Sequence, residues 1–165
     1  MSVVAVRVFE DRIVIWSDQQ ITYWDDMKNE HNKPIKLHQC WDFVFWSCWS
    51  LSEAYKMKMF LDEYEPKIVK SCKDILNLLN QFKERWSAYW VLSVENVYIF
   101  VTNWKVFQYS SDYVDEVINY AAIWSWAVKA IVAMELCYDL ETVLKIVCKH
   151  DLYCSEPLVM ITVPK

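Results

Sequence analysis

The chain opens on alternation. Val4, Val6 and Val8 fall on one face of residues 3–8, a turn at Glu10-Asp11 follows, and Arg12-Ile13-Val14-Ile15-Trp16 resumes the two-residue period of a strand. Gln20-Ile21-Thr22-Tyr23 continues as an extended segment. Lys33-Pro34-Ile35-Lys36-Leu37 and Asp42-Phe43-Val44-Phe45 form a further pair of strands hinged at Cys40-Trp41. From Ser50 the period lengthens. Leu51, Ala54, Tyr55, Met57, Lys58 and Leu61 recur at helical spacing as far as Tyr64, Ser50-Leu51-Ser52-Glu53 is a capping box, and Pro66 stops the helix. A second helix is predicted over 71–85, with Ile75, Leu78, Leu79 and Phe82 on its apolar stripe.

The same order then recurs. Residues 90–94, 97–101 and 105–109 read as a meander with turns at Glu95-Asn96 and Asn103-Trp104. Ala121-Ala122-Ile123 is a strand, helices are predicted over 126–136 and 140–150, and 158–163 closes the chain as a strand. Strands then a helix pair, twice over, predict an α+β fold: a four-layer αββα sandwich of two antiparallel sheets flanked by helix pairs, formed by residues 1–165 as a single domain.

Composition adds an anomaly. A chain of 165 residues would ordinarily carry about 12 glycines, and this one has none beside 10 Trp. Every Gly-cradled phosphate motif and any nucleophile elbow is thereby excluded. The net charge of −5 argues against nucleic acid as a partner. No apolar run is long enough to span a bilayer, and residues 1–7 lack the features of a signal peptide, so a cytoplasmic protein without membrane attachment is expected. The six cysteines form no C-x-x-C pair and sit mostly in apolar runs, which reads as free buried thiols. Metal spacings are missing, and no metal or other cofactor is expected.

Four positions carry candidate chemistry. Ser2 follows Met1, and removal of that Met would leave an α-amine beside a hydroxyl, the arrangement of an N-terminal nucleophile; Ser is also a common second residue. Asp18 suits either orientation of an amine or a turn cap. Lys33 either lowers a nearby hydroxyl's pKa or stays solvated. Ser125, at a strand-to-helix junction, also fits an ordinary N-cap.

Taken together, these residues resemble the proteasome β-type, HslV-like N-terminal nucleophile (Ntn) hydrolases. The resemblance rests on the order Ser2, Asp18-Gln19-Gln20-Ile21-Thr22, Lys33, Phe43-Val44-Phe45-Trp46-Ser47-Cys48-Trp49-Ser50-Leu51-Ser52-Glu53-Ala54 and Ala122-Ile123-Trp124-Ser125-Trp126, and it covers nearly the whole chain. It implies that Ser2 stands in place of the family's Thr as nucleophile, that Lys33 lowers its pKa, and that Asp18 orients the lysine. It further implies that Ser125 and Asp151 hydrogen-bond the α-amine, that the Trp49 N–H is the oxyanion donor, and that Ile21, Cys48 and Trp49 line the substrate pocket. The implied protein is a peptidase subunit in a homo-oligomeric ring, acting on peptides or unfolded proteins, with an ATP-dependent unfoldase as a candidate partner. A catalytically silent structural or assembly subunit and a small-substrate amidase are the alternatives.

The missing glycines bear on that resemblance. Trp16, Trp46, Trp49, Trp124 and Trp126 stand where the family pattern has Gly, and Trp24, Trp41 and Trp104 fall at turns that favour Gly; Trp86 and Trp90 also suit ordinary core positions. A Gly codon rendered as Trp, deliberate Gly-to-Trp design, and divergence to a non-catalytic form each account for the pattern. An intact mass separates the first from the other two.

Overall fold

The computed structural model describes residues 3–18, 36–48, 50–63, 69–86, 94–124, 127–136, 138–150 and 158–165. They fall into two compact units, one from residues 1–37 and 118–165 and the other from residues 38–117.

The first unit is built on a four-stranded antiparallel sheet. It comprises β1 (Val3–Val8), β2 (Arg12–Asp18), β8 (Tyr120–Trp124) and β9 (Leu158–Pro164), in the order β8-β1-β2-β9. Val3, Val4, Ala5 and Val6 are all fully buried, so β1 is apolar on both faces rather than alternating. One face, with Val3, Ala5, Val14 and Ala122, packs against α3 (Ala127–Glu135) and α4 (Leu140–His150) through Ala130, Met134, Leu140, Val143, Leu144 and Val147. Asp139 starts α4: its Oδ1 accepts the Thr142 N–H at 2.9 Å, satisfying one orphan donor of the first turn and drawing the carboxyl below its usual range.

Cys148, on α4 and packed against this core, is disulfide-bonded. That corrects the expectation of free thiols at this position; its partner lies outside the described residues. Cys40, Cys48 and Cys72 are not disulfide-bonded.

The second unit carries a five-stranded sheet of β3 (Leu37–Cys40), β4 (Phe43–Cys48), β5 (Val97–Thr102), β6 (Lys105–Ser110) and β7 (Tyr113–Val117), in that spatial order. One face presents Phe43, Phe45, Tyr98, Phe100, Phe107 and Tyr109 to α1 (Leu51–Glu63) and α2 (Cys72–Trp86). The predicted stripe of α2 is buried as expected. On α1 the inward residues are Glu53, Ala54, Met57, Phe60 and Leu61, whereas Tyr55 faces solvent and Lys58 pairs with Asp62 on the outer surface. Strand β7 was not predicted. Its sequence Tyr-Val-Asp-Glu-Val places two carboxylates on a sheet edge, where Lys105 pairs with Glu116 at 2.9 Å, so only Val114 marks the inward face.

The turns show what the missing glycines would do. Asn103 and Trp104 have φ of 48° and 61°, and Ser111 and Asp112 have 50° and 66°, so both two-residue hairpin loops carry the paired positive φ of type I′ turns. In the β3–β4 loop Trp41 has φ 53° while Asp42 is not in the left-handed region, the pattern of a type II′ turn, which calls for Gly at its first position. Trp41 and Trp104 thus hold glycine-type conformations, as their placement at turns led one to expect. Trp46 is different: it lies fully buried within β4. Trp86 ends α2 against the core, with the Lys56 ammonium 5.7 Å from its ring centre, in keeping with an ordinary core residue.

Candidate active site

Asp18 ends β2 with its side chain withdrawn from solvent. Its Oδ1 accepts the Val3 N–H at 2.9 Å, and its Oδ2 lies 3.2 Å from Lys36 Nζ. The Ser17 hydroxyl donates to the Asp18 carbonyl at 2.8 Å. Lys36 stands immediately before β3, and its ammonium is also buried. Two opposite charges removed from water hold together only when each is matched. Here one carboxylate oxygen takes the ammonium and the other a backbone donor, a charge-assisted arrangement with fixed direction.

The sheet register explains why this happens at one end of the first unit. Val3 opens β1 opposite Trp124 at the end of β8, and Asp18 closes β2 opposite Leu158 at the start of β9. Val3 follows Ser2 in sequence, and Trp124 precedes Ser125. Of the residues assigned by sequence, Ser2, Ile21, Lys33, Trp49, Ser125 and Asp151 lie outside the described residues. Among the described residues, the lysine paired with Asp18 is Lys36.

Cys48 belongs to the second unit, where it ends β4 as a buried cysteine that is not disulfide-bonded. Past it, Ser50 caps α1 by accepting the Glu53 N–H on its Oγ at 3.3 Å. The return half of the predicted capping box is not made by Glu53. Its carboxylate accepts the Glu95 N–H at 3.0 Å, the Asn96 N–H at 3.2 Å and the Tyr98 hydroxyl at 2.8 Å. Asn96 takes over the N-cap amide: its Oδ1 accepts the Ser50 N–H at 2.5 Å while its Nδ2 donates to the Ser50 carbonyl at 2.8 Å. Burial, reinforced by the Glu53 charge, pushes the Tyr98 hydroxyl well above its usual pKa, so it remains a donor. No cluster of three or more metal-ligating side chains occurs among the described residues.

The whole-chain architecture has close counterparts. BPH from Thiobacillus denitrificans superposes with a TM-score of 0.81 at 18% identity, covering 98% of this chain and 97% of that one. Eukaryotic HslV from Trypanosoma brucei gives 0.74 at 15% identity over 99% of both chains. Anbu, the ancestral beta-subunit from Yersinia bercovieri, gives 0.70 at 13%, covering 98% of this chain and 81% of that one. The fold is that of the proteasome-type β-subunits. No protein family profile and no curated protein sequence matches the chain. In the proteasome-like fold seen here, the buried Asp18–Lys36 pair occupies the end of the first sheet where β1 begins and β8 ends. None of the helices among the described residues is long and apolar enough to cross a membrane.

Proposed function

We propose that the chain is a peptidase subunit that cleaves peptide bonds with the hydroxyl of Ser2, its α-amine freed by removal of Met1. The observation that carries this reading is the fixed Asp18 carboxylate, which binds the backbone N–H next to Ser2 and a buried ammonium. A lysine held charged at this position favours the alkoxide of a nearby hydroxyl. That lysine is Lys33, as the resemblance implies, with the buried Lys36 holding the Asp18 carboxylate in place. The α-amine is the general base that accepts the Ser2 proton and returns it to the leaving amine, assisted by Ser125 and Asp151. The N–H of position 49 stabilises the tetrahedral oxyanion, and Ile21 and Cys48 line the substrate pocket. The subunit works as one 165-residue domain in a cytoplasmic homo-oligomeric ring on peptides or unfolded proteins, with an ATP-dependent unfoldase as its feeder.

A catalytically silent subunit is the second reading. It is favoured by Trp41 and Trp104, which hold glycine-type conformations, together with Trp at positions 49 and 126, where the family pattern has Gly. N-terminal sequencing and reaction with epoxomicin, the compound bound in a Thiobacillus denitrificans BPH structure, decide between them. The enzyme begins at Ser2 and gains one inhibitor mass that Ser2→Ala abolishes; the silent subunit retains Met1 and gains none.

A further inference from the structure

The second unit holds a polar cluster that the proposed chemistry leaves unused. Glu53, Asn96 and Tyr98 are all buried, the last two to within 1% of full burial, beside a core of aromatic and aliphatic side chains. A buried carboxylate is costly unless its oxygens are satisfied, and three donors converge on Glu53. Those bonds fix the backbone of residues 95–96 and so the base of the Asn96 side chain. From there the Asn96 amide grips Ser50 on both sides, through its N–H and its carbonyl. A single side chain thus supplies the two hydrogen bonds that a neighbouring strand would give.

Ser50 directly follows Cys48 and position 49, the stretch to which the proposed function assigns the substrate pocket and the oxyanion donor. The Ser50 N–H is engaged by Asn96 and does not serve as that donor. It belongs to the planar peptide joining position 49 to Ser50, one peptide beyond the proposed donor, so holding it anchors the C-terminal side of position 49. We infer that Asn96, seated by Glu53, is a positioning residue that sets the β4–α1 junction for oxyanion stabilisation. This rests on the peptidase reading and adds to it a residue, 46 positions downstream of Ser50, that touches neither substrate nor nucleophile.

Asn96→Leu removes both bonds to Ser50 with little change of shape. Tyr98→Phe removes one donor to Glu53 and a long 3.4 Å acceptor of the Asn96 Nδ2 but keeps both Asn96 bonds to Ser50, so it serves as the control for a purely structural role. Backbone amide exchange and steady-state hydrolysis of peptidyl aminomethylcoumarins are measured on all three proteins. In Asn96→Leu the Ser50 amide should lose protection and kcat should fall about a hundredfold, the scale of a misplaced catalytic group, with KM held within about twofold. Tyr98→Phe should keep both the protection and kcat even where its melting temperature falls as far. Unchanged Ser50 protection in Asn96→Leu overturns the clamp. Lost protection with unchanged kcat, or equal loss of kcat in both variants, overturns the positioning role. A wild-type protein without Ser2-dependent turnover overturns the peptidase reading and the catalytic part of this inference, while the exchange result still decides the clamp.

Discussion

Asp18 and Lys36 meet at 3.2 Å with both side chains out of solvent, bridging the end of β2 and the residue that leads into β3. The second carboxylate oxygen is committed to the Val3 N–H, so the pair is anchored to the first residue of β1.

Removing one member of a buried ion pair costs about 3–5 kcal/mol. Lys36→Met should lower stability in urea by that amount and abolish labelling at Ser2. Lys33→Met should abolish labelling at Ser2 with the smaller loss of stability; retained labelling in Lys33→Met would remove Lys33 from the proposed chemistry.

Relief of left-handed backbone should stabilise the protein. A non-Gly residue in that region costs about 1–2 kcal/mol, so Trp104→Gly, which converts the β5–β6 loop to Asn-Gly, should raise the unfolding free energy by roughly 1 kcal/mol. Trp41→Gly should do the same in the β3–β4 loop, less the weak 3.4 Å bond from its indole to the Asp62 carbonyl. Trp46→Gly should instead destabilise, because that side chain fills a core position in β4. Chemical denaturation of the three variants checks the order.

Stability should fall in mild acid through His38. Its ring is buried between Phe45, stacked at 5.0 Å, and Tyr55, and its Nε2 has no hydrogen-bond partner. Desolvation, with help from Lys58 and against Asp62, holds its pKa below the ordinary 6.5. The unfolded chain therefore binds the proton first as pH drops through 6.5, and unfolding free energy declines until the folded ring also protonates. His38→Phe keeps the stacking and should flatten this part of the stability curve; an unchanged slope would exclude His38 as its source.

Thiol counting tests the disulfide at Cys148. Six cysteines less the two of one bridge leave four to react in the denatured, unreduced chain. In the native protein Cys72, half-buried, should alkylate before Cys40 and Cys48. Cys40 should be slowest at pH 8, since burial and the neighbouring Asp62 push its thiol up to about 12 and leave almost no thiolate. Reduction should lower stability by about 2–4 kcal/mol. Six reactive thiols before reduction would refute the bridge.

Periodicity made most of the architecture legible in advance. The stripe Ile75, Leu78, Leu79 and Phe82, the Asn103-Trp104 turn and the closing strand all appear as read, because each is a local pattern in which hydrophobic spacing and turn chemistry agree. Strand β7 escaped because an edge strand needs only one inward residue, and Val114 supplied it. Glu53 was read as half of a capping box because the motif is local, whereas its actual donors lie more than 40 positions away. The pairing of Lys36 with Asp18 escaped for the same reason, since the two lie 18 positions apart.

The hairpin tips and the β4 core give this chain a built-in optical contrast. Trp41 and Trp104 project at 62% and 60% exposure, whereas Trp46 is sealed from water. Iodide will quench the first two and spare the third, so the blue-shifted emission that Trp46→Phe removes reports on the integrity of the second sheet without any attached dye.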